Sequence, residues 1–154
     1  MGLSVEFYAG HPETIGPAFT AYELNSLRDG IAHSYADLSL HLSLTDFDIL
    51  SEQVGAILGR PPILLLDSLE DSIGGTPDES DAAVVSADWV SSVAAVPPDS
   101  AAQLTSQWLH AVADESGDEV VTDSPQAVIA VSSLLDLCRQ SLARGTRVVF
   151  AWYL

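Results

Sequence analysis

The last nine residues, Thr146-Arg147-Val148-Val149-Phe150-Ala151-Trp152-Tyr153-Leu154, are very apolar and rich in β-branched and aromatic side chains. This composition is typical of a strand. Upstream, Ser124-Pro125 is a typical helix start, with a capping residue followed by proline at the first helical position. The helix it predicts ends at Gly145, with Arg139 and Arg144 near its negative pole. We therefore expect a long helix followed by a C-terminal strand.

The N-terminal end shows a second strand signal. Residues 3–9 alternate and contain the aromatic pair Phe7 and Tyr8, which predicts a strand. His11-Pro12-Glu13 indicates a turn into a helix, and apolar residues at helical spacing continue to about Gly30, where we expect the helix to stop.

Residues 37–44 have the clearest period of two in the chain. Four leucines alternate with Ser39, His41 and Ser43, which predicts a strand with one leucine face. Thr45 stands at an N-cap position, and Asp46 and Asp48 follow in the first turn, where carboxylates are favoured. This predicts a helix that ends at Gly59-Arg60-Pro61-Pro62.

The middle of the chain adds shorter elements. Residues 63–73 fit either a buried strand or a helix, and residues 74–81 predict a polar, acidic loop. A short strand over 82–85 is expected to lead into a helix capped by Ser86, followed by a second helix from Asp99 or Ser100. Together the elements predict a single α+β domain over residues 1–154. We expect one small mixed or antiparallel sheet that includes the N- and C-terminal strands and is packed by several helices.

The charge is the most unusual feature of the composition. The 154 residues contain 22 carboxylates, five arginines and no lysine, for a net charge of −17. Such a charge repels nucleic acid and anionic membranes and favours basic partners or cations. A high-GC, prokaryote-like composition or a salty cytoplasm would produce the same acidity without a partner. The sequence thus predicts a basic protein partner, with no nucleic acid and no membrane.

The chain lacks the sequence motifs that mark several classes of enzyme and cofactor-binding protein. Neither phosphate-binding glycine motif is present, nor is Gly-x-Ser-x-Gly, and the absence of lysine excludes Schiff-base chemistry on this chain. The four histidines have no metal-ligand spacing. We therefore expect no cofactor and no metal. The single cysteine, Cys138, lies on an apolar helix stripe, where a buried, inert thiol is expected. One cysteine, no secretory signal and no long apolar run favour the cytoplasm.

Three sets of candidate site residues remain. His41 with Asp37 or Asp46 offers acid–base groups, provided the polar face of the leucine segment lines a cleft; a histidine there is otherwise a plain surface residue. Trp152 and Tyr153 are candidate interface anchors, and the protein is expected to be a monomer or a homodimer. The candidate acidic binding surface consists of one helix face and two loops: Asp46, Asp48, Glu52, Asp78, Glu79, Asp81, Asp114, Glu115, Asp118 and Glu119.

Three stretches resemble the YfbM-like family of bacterial domains of uncharacterised function. They are the opening residues 1–8, the central residues 86–108 and the closing residues 134–145, about half of the chain together. The family often has a tryptophan before its central leucine-rich strand, whereas this chain has Tyr35-Ala36-Asp37. The resemblance implies a compact α+β fold and carries over no catalytic residue.

These observations favour an acidic protein-binding module, of the immunity or inhibitor type, that masks a basic partner. The alternative is a small cofactor-independent enzyme of the cyclase or isomerase type, with acid–base residues in a pocket between sheet and helices. A third interpretation is that the acidity is adaptation to salt alone.

Overall fold

The computed structural model describes residues 2–117 and 124–154. Its strands form one antiparallel sheet in the order β2-β1-β5-β4-β3. The strands are β1 Ser4–Gly10, β2 Ser34–Asp37, β3 Leu69–Gly74, β4 Ser80–Val85 and β5 Arg147–Tyr153. The α-helices are α1 Pro12–Thr20, α2 Leu24–Ser26, α3 Asp46–Leu58, α4 Ala87–Ala94, α5 Ala101–Ser116 and α6 Pro125–Arg144. A π-turn spans Leu27–Ile31, and short 3₁₀ turns span Leu66–Ser68 and Pro98–Ser100.

The two terminal strands lie side by side in the middle of the sheet. They pair along their whole length, from Ser4 with Tyr153 to Gly10 with Arg147. The predicted α+β class, with one sheet that includes both ends, is thereby confirmed, and the sheet is antiparallel rather than mixed. No helix in the described residues is long and apolar enough to cross a membrane.

Each face of the sheet is covered by helices. On the first face, Phe7 packs with Trp89 from α4 and Phe47 from α3, and the Phe7 and Trp89 rings stack with centroids 5.8 Å apart. Helices α5 and α6 complete this larger core. On the second face, Tyr8 and Val149 are buried beneath apolar residues of α1, α2 and the π-turn. The division follows from the period of two in β1 and β5.

Helix α1 crosses β3 at backbone contact distance. A Cβ atom on Gly16 would lie 2.4 Å from the carbonyl oxygen of Ile73, and one on Gly74 would lie 2.6 Å from the carbonyl oxygen of Gly16. Thr20 continues the contact, since its Oγ1 accepts a hydrogen bond from the backbone N–H of Gly75. Glycine at both crossing positions is what allows α1 to approach the sheet edge.

Most predicted helix ends are confirmed. The side chains of Ser86 and Ser124 accept hydrogen bonds from the first turns of α4 and α6. Gly59 and Gly145 end α3 and α6 in the left-handed conformation, with φ of 66° at each, which glycine adopts without cost. Thr45 occupies the predicted N-cap position of α3, but its backbone is already helical and its side chain makes no capping bond.

The strand predicted over residues 37–44 is also wrong, because β2 ends at Asp37. The backbone N–H of Leu38 still donates to Val5, but that of Leu40 folds back to the carbonyl of Leu38, and His41 has a φ of 60°. Leu38 and Leu42 are nevertheless buried. The leucine alternation thus marks which side chains face the core of an irregular segment.

The helix predicted from Pro12 to Gly30 is interrupted. Helix α1 ends at Thr20, and Tyr22 takes a left-handed φ of 61° before α2 and the π-turn follow. The ambiguous residues 63–73 divide into a 3₁₀ turn and the edge strand β3.

Candidate functional site

The β3–β4 hairpin brings part of the predicted acidic surface together with a tryptophan. In the sheet register Asp81 lies opposite Trp152 on β5, so the two side chains point to the same face at roughly 5 Å between Cβ atoms. Both line a cleft of about 470 Å³ at this end of the sheet, together with residues of the turn. We call this recess the hairpin cleft; its walls are Ser72, Gly74, Gly75, Thr76, Pro77, Asp78, Ser80, Asp81 and Trp152.

Short-range hydrogen bonds hold the hairpin cleft in shape. The Ser80 Oγ accepts from the backbone N–H of Thr76 at 2.8 Å, and the Ser72 hydroxyl donates to Oδ1 of Asp81. A Cβ atom at Gly75, where φ is 115°, would lie 2.5 Å from the carbonyl oxygen of Ser80, so the tight turn requires glycine. The backbone N–H of Leu154 donates to the carbonyl of Glu79 and ties the C-terminus to the same turn.

The chemistry of the hairpin cleft suits a cation. Asp78 is exposed, and Oδ1 of Asp81 accepts hydrogen bonds from the Ser72 hydroxyl and the backbone N–H of Ala82. The indole of Trp152 is partly buried, and an indole face attracts a guanidinium or ammonium group held above it. Carboxylates beside an indole are the groups that bind an arginine or lysine side chain.

Two of the predicted binding residues on α3, Asp46 and Asp48, also accept hydrogen bonds from the backbone of neighbouring segments. Oδ2 of Asp46 accepts from the backbone N–H of Ser43 at 2.8 Å, and Oδ1 of Asp48 accepts from that of Leu66 at 2.9 Å. Asp48 therefore ties the 3₁₀ turn to α3. Glu52 is exposed on the same helix.

The second predicted loop begins later than we expected, because α5 continues to Ser116. Asp114 and Glu115 are exposed in the last turn of α5, and Glu79 is exposed in the β3–β4 turn. Asp118 and Glu119 lie outside the described residues, so their place in the acidic surface stays a prediction.

The structure does not join His41 to its predicted carboxylate partners. His41 is exposed, and its ring lies against Gly2, where an added Cβ would be 3.1 Å from Nδ1. Oδ1 of Asp37 accepts instead from the backbone N–H of Ser39. In the described part of the chain, no hydrogen bond links His41 with Asp37 or Asp46, and the hairpin cleft does not include it.

A buried charged cluster escaped the sequence reasoning. The Glu6 side chain is 1% exposed and forms an ion pair with Arg28 at 2.7 Å between Oε1 and Nε. Its Oε2 accepts from the hydroxyls of Tyr8 at 2.7 Å and Tyr153 at 3.3 Å. Arg28 lies on the π-turn, so the cluster ties that turn to β1 and β5.

Electrostatics in this cluster favours one fixed protonation pattern. Burial raises the pKa of Tyr8, and the hydrogen bond to Glu6 raises it further. The hydrogen bond to Glu6 raises the pKa of Arg28. Burial also raises the pKa of Tyr153, so both tyrosine hydroxyls and the Arg28 guanidinium keep their protons at any pH near neutrality. The available signal was Glu6 itself, the one charged residue within residues 3–10.

One further residue has the surroundings that we predicted. Cys138 is fully buried, and burial raises the pKa of its thiol, which disfavours the nucleophilic thiolate. His110 is exposed, and its Nδ1 lies 2.7 Å from the carbonyl oxygen of Ser106, one helical turn earlier. Among residues 2–117 and 124–154, no three metal-ligating side chains are grouped closely enough to hold an ion.

Comparison with models of known protein families, with curated proteins and with solved structures gave no match. The resemblance to the YfbM-like family therefore stays a prediction, and arguments about function rest on the residues of this chain.

Proposed function

We propose that this protein is an acidic protein-binding module, of the immunity or inhibitor type, that covers a basic surface on a partner protein. The observation that carries the proposal is the hairpin cleft, in which Asp78 and Asp81 accompany the partly buried Trp152. An arginine or lysine from the partner fits this combination of groups, because the indole binds the side-chain cation and the carboxylates neutralise it.

The overall charge supports the same proposal. The chain has 22 carboxylates against five arginines, and in the described residues arginine–carboxylate ion pairs occur at Glu6–Arg28 and Glu70–Arg147. Within residues 2–117 and 124–154, most surface carboxylates thus form no ion pair with an arginine. A basic partner would be attracted over a long range, so its association would be fast at low salt and slower at high salt.

The proposal is tested by affinity capture from the native lysate, followed by affinity measurement with the purified captured protein. Capture is run at about 50 and 500 mM NaCl, which shortens the Debye length from roughly 14 to 4 Å. The test variant is Asp78→Asn/Asp81→Asn. The matched control, Asp29→Asn/Asp136→Asn, changes two exposed carboxylates on other elements and alters the net charge equally.

We expect a basic protein that binds at low salt and loses at least about tenfold in affinity, or about 1.4 kcal/mol, with the cleft variant. The control should lose less than about threefold. Equal losses for the two variants would show that only net charge matters, and capture of no basic protein at low salt would contradict the proposal.

A further inference from the structure

His33 lies where three parts of the fold meet. It directly precedes β2, and its backbone N–H donates to the carbonyl of Ala9 in β1 at 2.9 Å. Its Nε2 lies 2.8 Å from Oγ1 of Thr146, in the turn between α6 and β5. The imidazole therefore fastens the beginning of the edge strand to the centre of the sheet.

The surrounding hydroxyl groups favour one position for the imidazole proton. The Ser141 hydroxyl donates to the carbonyl of Thr146 at 3.0 Å, and the Thr146 hydroxyl donates to Oγ of Ser141 at 3.2 Å. Each hydroxyl has one hydrogen, so Oγ1 of Thr146 has only lone pairs left for the ring. In this arrangement Nε2 of His33 donates to Thr146, and Nδ1 carries the lone pair.

The other ring nitrogen has no place for a proton. Nδ1 of His33 is buried and has no hydrogen-bond partner in the described part of the chain. Arg144, from the last turn of α6, and His11, from the β1–α1 turn, are the positive or titratable groups that act on the ring; His11 is itself 3.8 Å from Glu13. Burial lowers the pKa of His33, Arg144 and His11 lower it further, and the backbone of His33 itself opposes them with a smaller effect.

We propose that His33 is an acid-sensitive latch on β2. A proton on Nδ1 would create a buried donor without an acceptor, which is costly, and would add a positive charge beside Arg144. The ring leaves Thr146 instead, and β2 separates from β1 at its first residues. Because β2 is the end strand of the sheet and pairs with β1, its opening exposes the buried Ala32 and Ala36.

The direction of the pH effect follows from the two states. A released imidazole has a pKa near 6.5, above that of the latched ring. The open state therefore binds the proton more strongly, and acid stabilises it. Between the two pKa values the opening equilibrium should increase by up to about tenfold for each pH unit lost.

The test is hydrogen exchange of the amides in residues 32–37, expressed as protection factors at about pH 7.5 and 5.0, with α6 as the internal reference. The wild-type protection of these residues should fall at least about tenfold more than that of α6. In His33→Gln the side-chain amide still donates to Thr146 without titrating, so the difference should disappear. The control, His41→Gln, removes an exposed histidine outside β2. This variant should show the same pH-dependent loss of protection in residues 32–37 as the wild-type protein.

A second measurement uses only the wild-type protein, so it tests the proposal even if the His33 variant does not fold. Nitrogen NMR of wild-type protein should show the proton on Nε2 at neutral pH and a titration of His33 clearly below 6.5. A proton on Nδ1 at neutral pH, a titration at or above 6.5, or the same pH dependence in His33→Gln as in wild type would overturn the proposal.

Discussion

Glu6 shows how strongly a single buried charge depends on its neighbours. Its carboxylate has three donors around it, from Tyr8, Arg28 and Tyr153, and the side chain is 1% exposed. The pair of Arg147 and Glu70 joins the same residue types, but its side chains are 42% and 50% exposed. Because of this difference in burial, the two ion pairs should contribute differently to the free energy of unfolding, although they join the same residue types.

We expect Arg28→Met to lower the free energy of unfolding by about 3 kcal/mol, because it leaves a buried carboxylate without its counter-charge. Arg147→Met should cost less than about 1 kcal/mol, since its pair is exposed and screened. Urea denaturation of both variants measures the difference. In the double variant Glu6→Gln/Arg28→Met more than half of the loss should return. Equal losses for the two arginine variants would contradict the structural role of the Glu6 pair.

At the scale of elements, the crossing of α1 over β3 depends on the lack of a side chain. Helix propensity alone favours Gly16→Ala by about 1 kcal/mol. The crossing predicts the opposite sign, because the new methyl group would lie 2.4 Å from the carbonyl oxygen of Ile73. Backbone cannot rotate away as a side chain can, so α1 as a whole would have to move.

We therefore expect Gly16→Ala to destabilise the protein by about 2 kcal/mol, the usual cost of overpacking. Urea denaturation gives the sign. Proteolysis in the α1–α2 region should accelerate in the variant, since the displaced helix no longer covers the second face. A stabilised variant would show that α1 is not held at backbone distance from β3.

At the scale of the whole molecule, the net charge of −17 is a source of self-repulsion that salt screens. We expect the urea midpoint to rise as NaCl increases from about 20 to 300 mM and then to level off, because the Debye length is by then below about 6 Å. A neutral osmolyte of equal osmolarity is the control. A steep, continued rise in molar KCl would favour the interpretation that the acidity is adaptation to salt.

The sequence by itself determined the α+β class, the sheet containing both ends, and most helix ends. These features depend on local physics: alternation within β1, the very apolar composition of β5, serine caps before α4 and α6, and glycines that adopt a left-handed φ after α3 and α6. Each signal lies within a few neighbouring residues, so it can be recognised without knowledge of the rest of the chain. The burial of Cys138 was predictable for the same reason, from its place on an apolar helix stripe.

The tertiary structure alone decided the strand order, the irregular course of residues 38–44 and the partners of each polar group. Alternating leucines can bury their side chains in the core either from a strand or from an irregular segment. Which of the two forms depends on hydrogen bonds to β1, which is distant in sequence. Asp81 meets Trp152 only through the register of β4 with β5, and Glu6 meets Arg28 only because the π-turn lies on the second face. Contacts between residues this far apart in the chain have no local pattern, so only the folded sheet brings them together.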